Sequence, residues 1–146
     1  MQDHQTTKRA TKRFSVAEAN AMLPLVRSIV VDICEIFKRV TGRRSDLNRI
    51  RRGSKKAGSQ YEDEVAESRA DLQEEYEQIW QYREELESLG VLLRGPEDGV
   101  IEFPALINGR DCFLCWQLGD DAIHYYREAA SPHAPKRPLP DLEPSS

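Results

Sequence analysis

Residues 108–128 read NGRDCFLCWQLGDDAIHYYRE, and the alternation in this stretch decides what the C-terminal half of the chain can be. Asn108-Gly109 is the dipeptide of a type I′ turn, because both central positions need positive φ and these two residues tolerate it. Period-two alternation around Gly119-Asp120-Asp121 predicts one strand over 111–118 and another over 122–128. A two-residue turn at Gly119-Asp120 or Asp120-Asp121 would put Leu114, Trp116, Leu118, Ile123 and Tyr125 on one apolar face. The other face would carry Phe113, Cys115, Gln117, His124, Tyr126 and Glu128. In the Gly119-Asp120 register Cys115 lies directly across from His124.

Two further strands are expected upstream, Val91-Leu92-Leu93 and Val100-Ile101-Glu102-Phe103, separated by the turn GPEDG over 95–99 and closed by Pro104. Four short strands over 91–128 make a small antiparallel β-meander, which needs helices to cover one of its faces. The helices come from the N-terminal half. Ser15 and Glu18 have the spacing of a capping box, and Phe14 can staple onto Ala19. From there Val16, Ala19, Leu23, Val26, Val30, Ile33, Phe37 and Val40 recur at alternating spacings of three and four, the seam of a helix that packs along another helix. This predicts a first helix over 15–41, kinked at Pro24 and capped by Gly42. A second helix is expected over 61–89, with Val65, Leu72, Ile79 and Leu86 at sevenfold spacing and Gly90 as its cap.

At 1.5 Å per residue both helices are roughly 40 Å long, which favours an antiparallel, coiled-coil-like hairpin. Between them, 42–60 has three glycines and seven basic residues and reads as a mobile surface loop. Residues 1–13 are polar with almost nothing to bury and read as a disordered lead-in. Residues 129–146 hold five of the eight prolines and read as an extended tail. The fold class is α+β: one domain over 14–128, a long antiparallel helical hairpin on a C-terminal meander.

Charge divides unevenly. Residues 1–60 carry 14 Lys/Arg against 5 Asp/Glu, and residues 61–146 carry 7 against 20. The basic and acidic halves attract each other, or one faces a charged partner. No apolar run approaches the ~18 residues of a membrane span, so a cytoplasmic protein without a membrane partner is expected. Three cysteines are too few for a disulfide framework, and reduced thiols are the simplest reading.

The segments FSVAEANAMLP, LESLGV and GVIEFPALINGRDCFLCWQLGDDAIHYY resemble the bacterial family catalogued as domain of unknown function 2203. The resemblance runs over about residues 13–138, weakest in the loop, and Leu114-Cys115-Trp116 followed by a Gly-acid turn is its most specific part. It implies a small cytoplasmic bacterial protein without an assigned activity. The last strand of that family tends to read Trp-His-Glu where this chain has Tyr126, Arg127 and Glu128, so any role of that histidine does not carry over.

Several stretches invite a chemical reading. Cys112 and Cys115 have C-x-x-C spacing, but positions three apart in a strand point to opposite faces, and Phe113-Leu114 lacks the glycine of a zinc knuckle. Cys115, His124 and Glu128 on one sheet face would be the candidate metal or small-molecule site. The basic segment 43–56, through Arg43, Arg44, Arg49, Arg51, Arg52, Lys55 and Lys56, is a candidate nucleic-acid contact, though it has no interleaved aromatics. No phosphate-cradling glycine motif, Ser-His-Asp arrangement or H-E-x-x-H is present, and no catalytic residue or cofactor is assigned. The leading expectation is a non-enzymatic interaction or scaffold module, a homo-oligomer formed through the hairpin.

Overall fold

The computed structural model describes residues 12–53, 58–131 and 133–139. In chain order the elements are α1 (Val16–Gly53), α2 (Ser59–Ser88), β1 (Leu92–Gly95), β2 (Val100–Ile107), β3 (Arg110–Gln117), β4 (Tyr125–Glu128) and β5 (Arg137–Pro138). The two helices form a hairpin against an antiparallel sheet of strand order β1-β2-β3-β4-β5. This is the expected α+β architecture.

The helix starts and stops follow local chemistry. Glu18 N–H donates to Ser15 Oγ at 3.0 Å and Ser15 N–H to Glu18 Oε1 at 2.9 Å, so the capping box is closed. At the end of α2, Gly90 has φ of 90° and donates to Glu87 O, while Val91 N–H reaches back to Leu86 O at 2.9 Å. That pair of bonds is a Schellman cap.

The expected end of the first helix is corrected. α1 does not stop at Gly42 but runs on to Gly53, and the helix is continuous through Pro24. Its inner stripe continues past Gly42: Val40 is 1% and Leu47 8% exposed, seven residues apart, with Arg43 between them on the same stripe hydrogen-bonded to Glu75 of α2. Burial of that stripe outweighs the ~1 kcal/mol cost of a mid-helix glycine. The expected loop over 42–60 is therefore largely helix. Of it, 54–57 lie outside the described residues, as do 1–11 of the lead-in and 132 and 140–146 of the tail.

The core lies between the inner face of the sheet and one side of the hairpin. Ile101, Phe103, Leu114 and Trp116 from the sheet meet Val26, Val30 and Ile33 from α1 and Leu86 from α2, all 1% exposed or less. Phe14 closes one end, edge-on to Phe103 at 5.2 Å. β2 runs past Pro104 to Ile107. Pro104 is tolerated because β1 pairs no further along β2 than Glu102, and the Pro104 carbonyl accepts instead from Phe14 N–H at 2.7 Å. Asn108 and Gly109 have φ of 52° and 78°, the expected type I′ turn.

Two features of the last strands differ from expectation. The tail adds a fifth strand, with Tyr126 opposite Arg137 and Leu139 N–H donating to His124 O at 3.0 Å. The connection between β3 and β4 is no two-residue turn, because residues 118–124 are tied to other groups. Asp120 Oδ2 accepts from Gln117 N–H, Trp116 Nε1 donates to Asp120 O at 3.1 Å, and Asn20 Oδ1 of α1 accepts from Ile123 N–H at 2.9 Å. Ile123 is thereby drawn into the core at 4% exposure.

Candidate functional site

The longer connection changes which side chains share a face. Cys115 pairs with Tyr125, not His124, and Leu114 pairs with Tyr126. A one-residue slip reverses every side chain of a strand. Tyr125 therefore belongs to the outer face and is 42% exposed, while Tyr126 packs half-buried against the core. His124 precedes the strand and places Nε2 2.8 Å from Asp121 Oδ1, a bond that holds the Asp121 carboxyl below its ordinary range. Glu128 pairs with Cys112 in the register and meets Arg110 at 3.3 Å. Cys115, His124 and Glu128 do not converge. Among the described residues no group of three or more His, Cys, Asp and Glu side chains is placed to hold a metal ion.

What the outer face holds instead is a buried carboxylate gripped by two arginines. Glu102, on β2, is 6% exposed. Arg127 of β4 donates Nε to Glu102 Oε2 at 2.7 Å and Nη2 to Oε1 at 3.0 Å, and Arg94 donates Nε to Oε1 at 2.8 Å. Burial alone would raise the Glu102 carboxyl, but the hydrogen bonds from Arg127 and Arg94 outweigh it and hold it below the usual carboxylate range. Arg94 reaches this spot from the irregular step between Leu93 and Gly95, where β1 slips register against β2. Both guanidinium groups also cover Phe113, Arg127 at 4.9 Å and Arg94 at 5.4 Å from the ring centroid, and Lys136 Nζ lies 5.1 Å from that of Tyr125.

Cys115 forms the rest of this floor. Its Sγ is 3.9 Å from Glu102 Oε2 and 3.6 Å from Phe113 O. Burial, and then the charge of Glu102, push the thiol up to about 11. At neutral pH about one molecule in ten thousand carries the thiolate, which is the reverse of what a nucleophile or metal ligand needs. Burial raises Cys34 and Cys112 as well, and all three cysteines are free. The C-x-x-C pair is split as expected, with Cys112 opposite Ala105 on the inner face and Cys115 opposite Glu102 on the outer one.

The sequence signal for this cluster was Glu102 itself, an acid inside the apolar run Val100 to Phe103. Alternation places it on the outer face, yet only the bulge in β1 and the β4 register bring both arginines to it.

The chain belongs to DUF2203. Residues 12–139 match the model of this family, described as an uncharacterized conserved protein. No curated protein and no solved structure matches the chain. Fold and site geometry thus carry the functional reading of this DUF2203 member.

The basic segment divides under the structure. Arg43 is committed to Glu75 at 3.0 Å and Asp71 at 3.2 Å, Arg44 donates to Tyr76 Oη at 3.2 Å, and Arg49 pairs with Asp46. Arg51 and Arg52 stand exposed in the last turn of α1, and Lys55 and Lys56 lie outside the described residues. The hairpin also has two unlike flanks. On one, a groove of about 720 Å³ is lined by Asp32, Glu35, Ile36, Arg39, Gln78, Gln81, Tyr82 and Glu85. On α2 roughly opposite, Tyr76 is 43% and Trp80 55% exposed, one turn apart. No helix among the described residues is long and apolar enough to cross a membrane.

Proposed function

We propose that this protein is a non-enzymatic interaction module that pairs with a second copy of itself through the far half of its helical hairpin. The observation that carries the reading is the exposed pair Tyr76 and Trp80 on a helix whose other outward residues are almost all polar or charged. An indole more than half exposed leaves apolar area that packing would remove from water, at about 25 cal/mol per Å². The hairpin around it is thinly covered. Ile36, Val40 and Leu47 are buried outside the central cluster, on the stripe that Arg43 shares with α2, while Val65, Leu72 and Ile79 remain only half-buried.

Charge favours a second copy as the partner. The far end of α1 exposes Arg44, Arg49, Arg51 and Arg52, and the facing part of α2 exposes Glu62, Asp63, Glu64, Glu67 and Glu74. Two hairpins side by side, related by a two-fold axis, set the basic helix of each against the acidic helix of the other, and the aromatic pair meets its own copy. The high-lying Cys115 thiol supports a role without nucleophilic catalysis.

Trp80 reports the contact directly, since the other tryptophan, Trp116, is 1% exposed. Emission that shifts to the blue with rising concentration, and a shift abolished in Trp80→Phe, is the expected result. A spectrum independent of concentration up to about 100 μM, a monomeric protein by mass, would reject self-association.

A further inference from the structure

The outer face of the sheet, opposite the core, is mixed in character: Val100, Pro104 and Leu106 of β2 lie on it beside a charged and aromatic cluster. Its floor is the buried Glu102, and its rim combines the rings of Phe113 and Tyr125 with Arg94, Arg127 and Lys136. Glu102 neutralises one of the three cations, so the patch is net positive on a chain whose total is −4. Arg127 gives both Nε and Nη2 to Glu102 and its side chain is 16% exposed, so among the described residues only its Nη1 is left for a further partner. Arg94 gives only its Nε to Glu102 and its side chain is 43% exposed, so its terminal nitrogens are free of hydrogen bonds among the described residues. The Tyr125 ring is 42% exposed although it sits in a strand paired on both sides.

We propose that this outer sheet face binds single-stranded nucleic acid, with Tyr125 and the Phe113-guanidinium layer as stacking positions and Arg94, Arg127 and Lys136 as phosphate contacts. The register supports the spacing. Phe113 lies across from Arg127 and Cys115 from Tyr125, so Phe113 and Tyr125 occupy diagonal positions on adjacent strands, a spacing of about 7–8 Å between the backbone positions. Unstacked bases stack on aromatic rings or guanidinium planes, and an antiparallel sheet offers such a surface without a groove that a duplex must fit. Glu102 does a positioning job, holding both guanidinium groups over Phe113, with Arg94 the more exposed of the two. The acidic helix α2 packs with α1 on the opposite face of the sheet, where salt screens it from a strand bound outside. The inference stands apart from self-association, which uses the hairpin.

Fluorescence anisotropy with a labelled oligouridine of about ten nucleotides, in about 50 mM salt, tests it. The full chain should bind at micromolar concentrations, with log K falling against log salt at a slope near −2 if three phosphates are contacted. Tyr125→Ala should weaken binding roughly ten-fold, and Lys136→Ala should flatten the slope by about 0.7. Both side chains are exposed, so both variants should keep the wild-type circular dichroism and melting temperature. The double variant Arg51→Ala/Arg52→Ala should bind as the wild type does. No binding up to about 100 μM overturns the proposal. So does binding that survives Tyr125→Ala but is lost with Arg51 and Arg52, which assigns the contact to the end of α1. Equal affinity for a duplex of the same length, or equal competition by polyglutamate, also overturns it by showing a charge effect without stacking.

Discussion

Replacing Glu102 by glutamine keeps the shape of the side chain and removes the charge on which Arg94 and Arg127 converge. Three charge-assisted hydrogen bonds of 2.7 to 3.0 Å end on this carboxylate, and the side chains of Glu102 and Arg127 are 7% and 16% exposed. Breaking a buried pair by removing one partner costs about 3–5 kcal/mol. Arg94 is 43% exposed and can return to water, so the expected loss lies at the lower end, about 3 kcal/mol. For a chain of this size that is a fall in melting temperature of roughly 6–12 °C. The sign of the pH dependence follows from the depressed Glu102 carboxyl. Its contribution is full above the unfolded carboxyl value of about 4.3 and is lost as pH falls through the lower, folded value. Urea unfolding from pH 8 to pH 3, followed by far-ultraviolet circular dichroism, should show a constant gap between wild type and Glu102→Gln down to about pH 5 and a narrowing gap below pH 4. The triple replacement Arg94→Met, Glu102→Met and Arg127→Met should recover much of the loss, because a buried ion pair exchanged whole for apolar groups is often neutral. A Glu102→Gln protein within about 0.5 kcal/mol of wild type, or a gap that does not narrow in acid, would refute the reasoning.

Other outcomes follow from single positions. Gly99→Ala should destabilise by about 3 kcal/mol in chemical denaturation: its φ is 72°, and an added Cβ would stand 2.7 Å from Leu118 Cβ and 2.9 Å from Val30 Cγ1, neither of them a flexible chain end. Ser15→Ala opens the capping box and should cost about 1 kcal/mol. Cys115 should resist iodoacetamide in the native protein at pH 7.5 and react fully in denaturant; its native labelling should rise only as pH approaches the thiol's value of about 11.

Much of the fold was legible because its signals are local. The capping box, the Gly90 cap, the Asn108-Gly109 turn and the three-four seam of α1 each rest on residues within a turn or two of one another. The misplaced boundaries share a different cause. α1 passes Gly42 because Leu47 and Arg43 find partners on α2, and β2 passes Pro104 because Phe14, ninety residues earlier in the chain, supplies the missing edge contact. Neither partner is visible in a short window of sequence.

The candidate site was harder to read for the same reason. Asn20 on α1 captures Ile123, which lengthens the connection after β3 and shifts β4 by one residue. That single shift parts Cys115 from His124 and brings Arg127 over Glu102. The alternation of β3 was right, so Cys112 and Cys115 fell on the faces that the sequence indicated.

The most direct test of the proposed role is the mass of the protein in solution, by sedimentation equilibrium over about 1–100 μM, for wild type and Trp80→Glu. A charge at Trp80 should not disturb the monomer, since that side chain is 55% exposed. The expected result is a wild-type mass that rises with concentration towards twice the chain mass of 16.7 kDa, while Trp80→Glu stays at the chain mass with an unchanged melting temperature in dilute solution. A wild-type protein that remains at the chain mass throughout, or a Trp80→Glu variant that associates as strongly as wild type, would contradict pairing through this face of the hairpin.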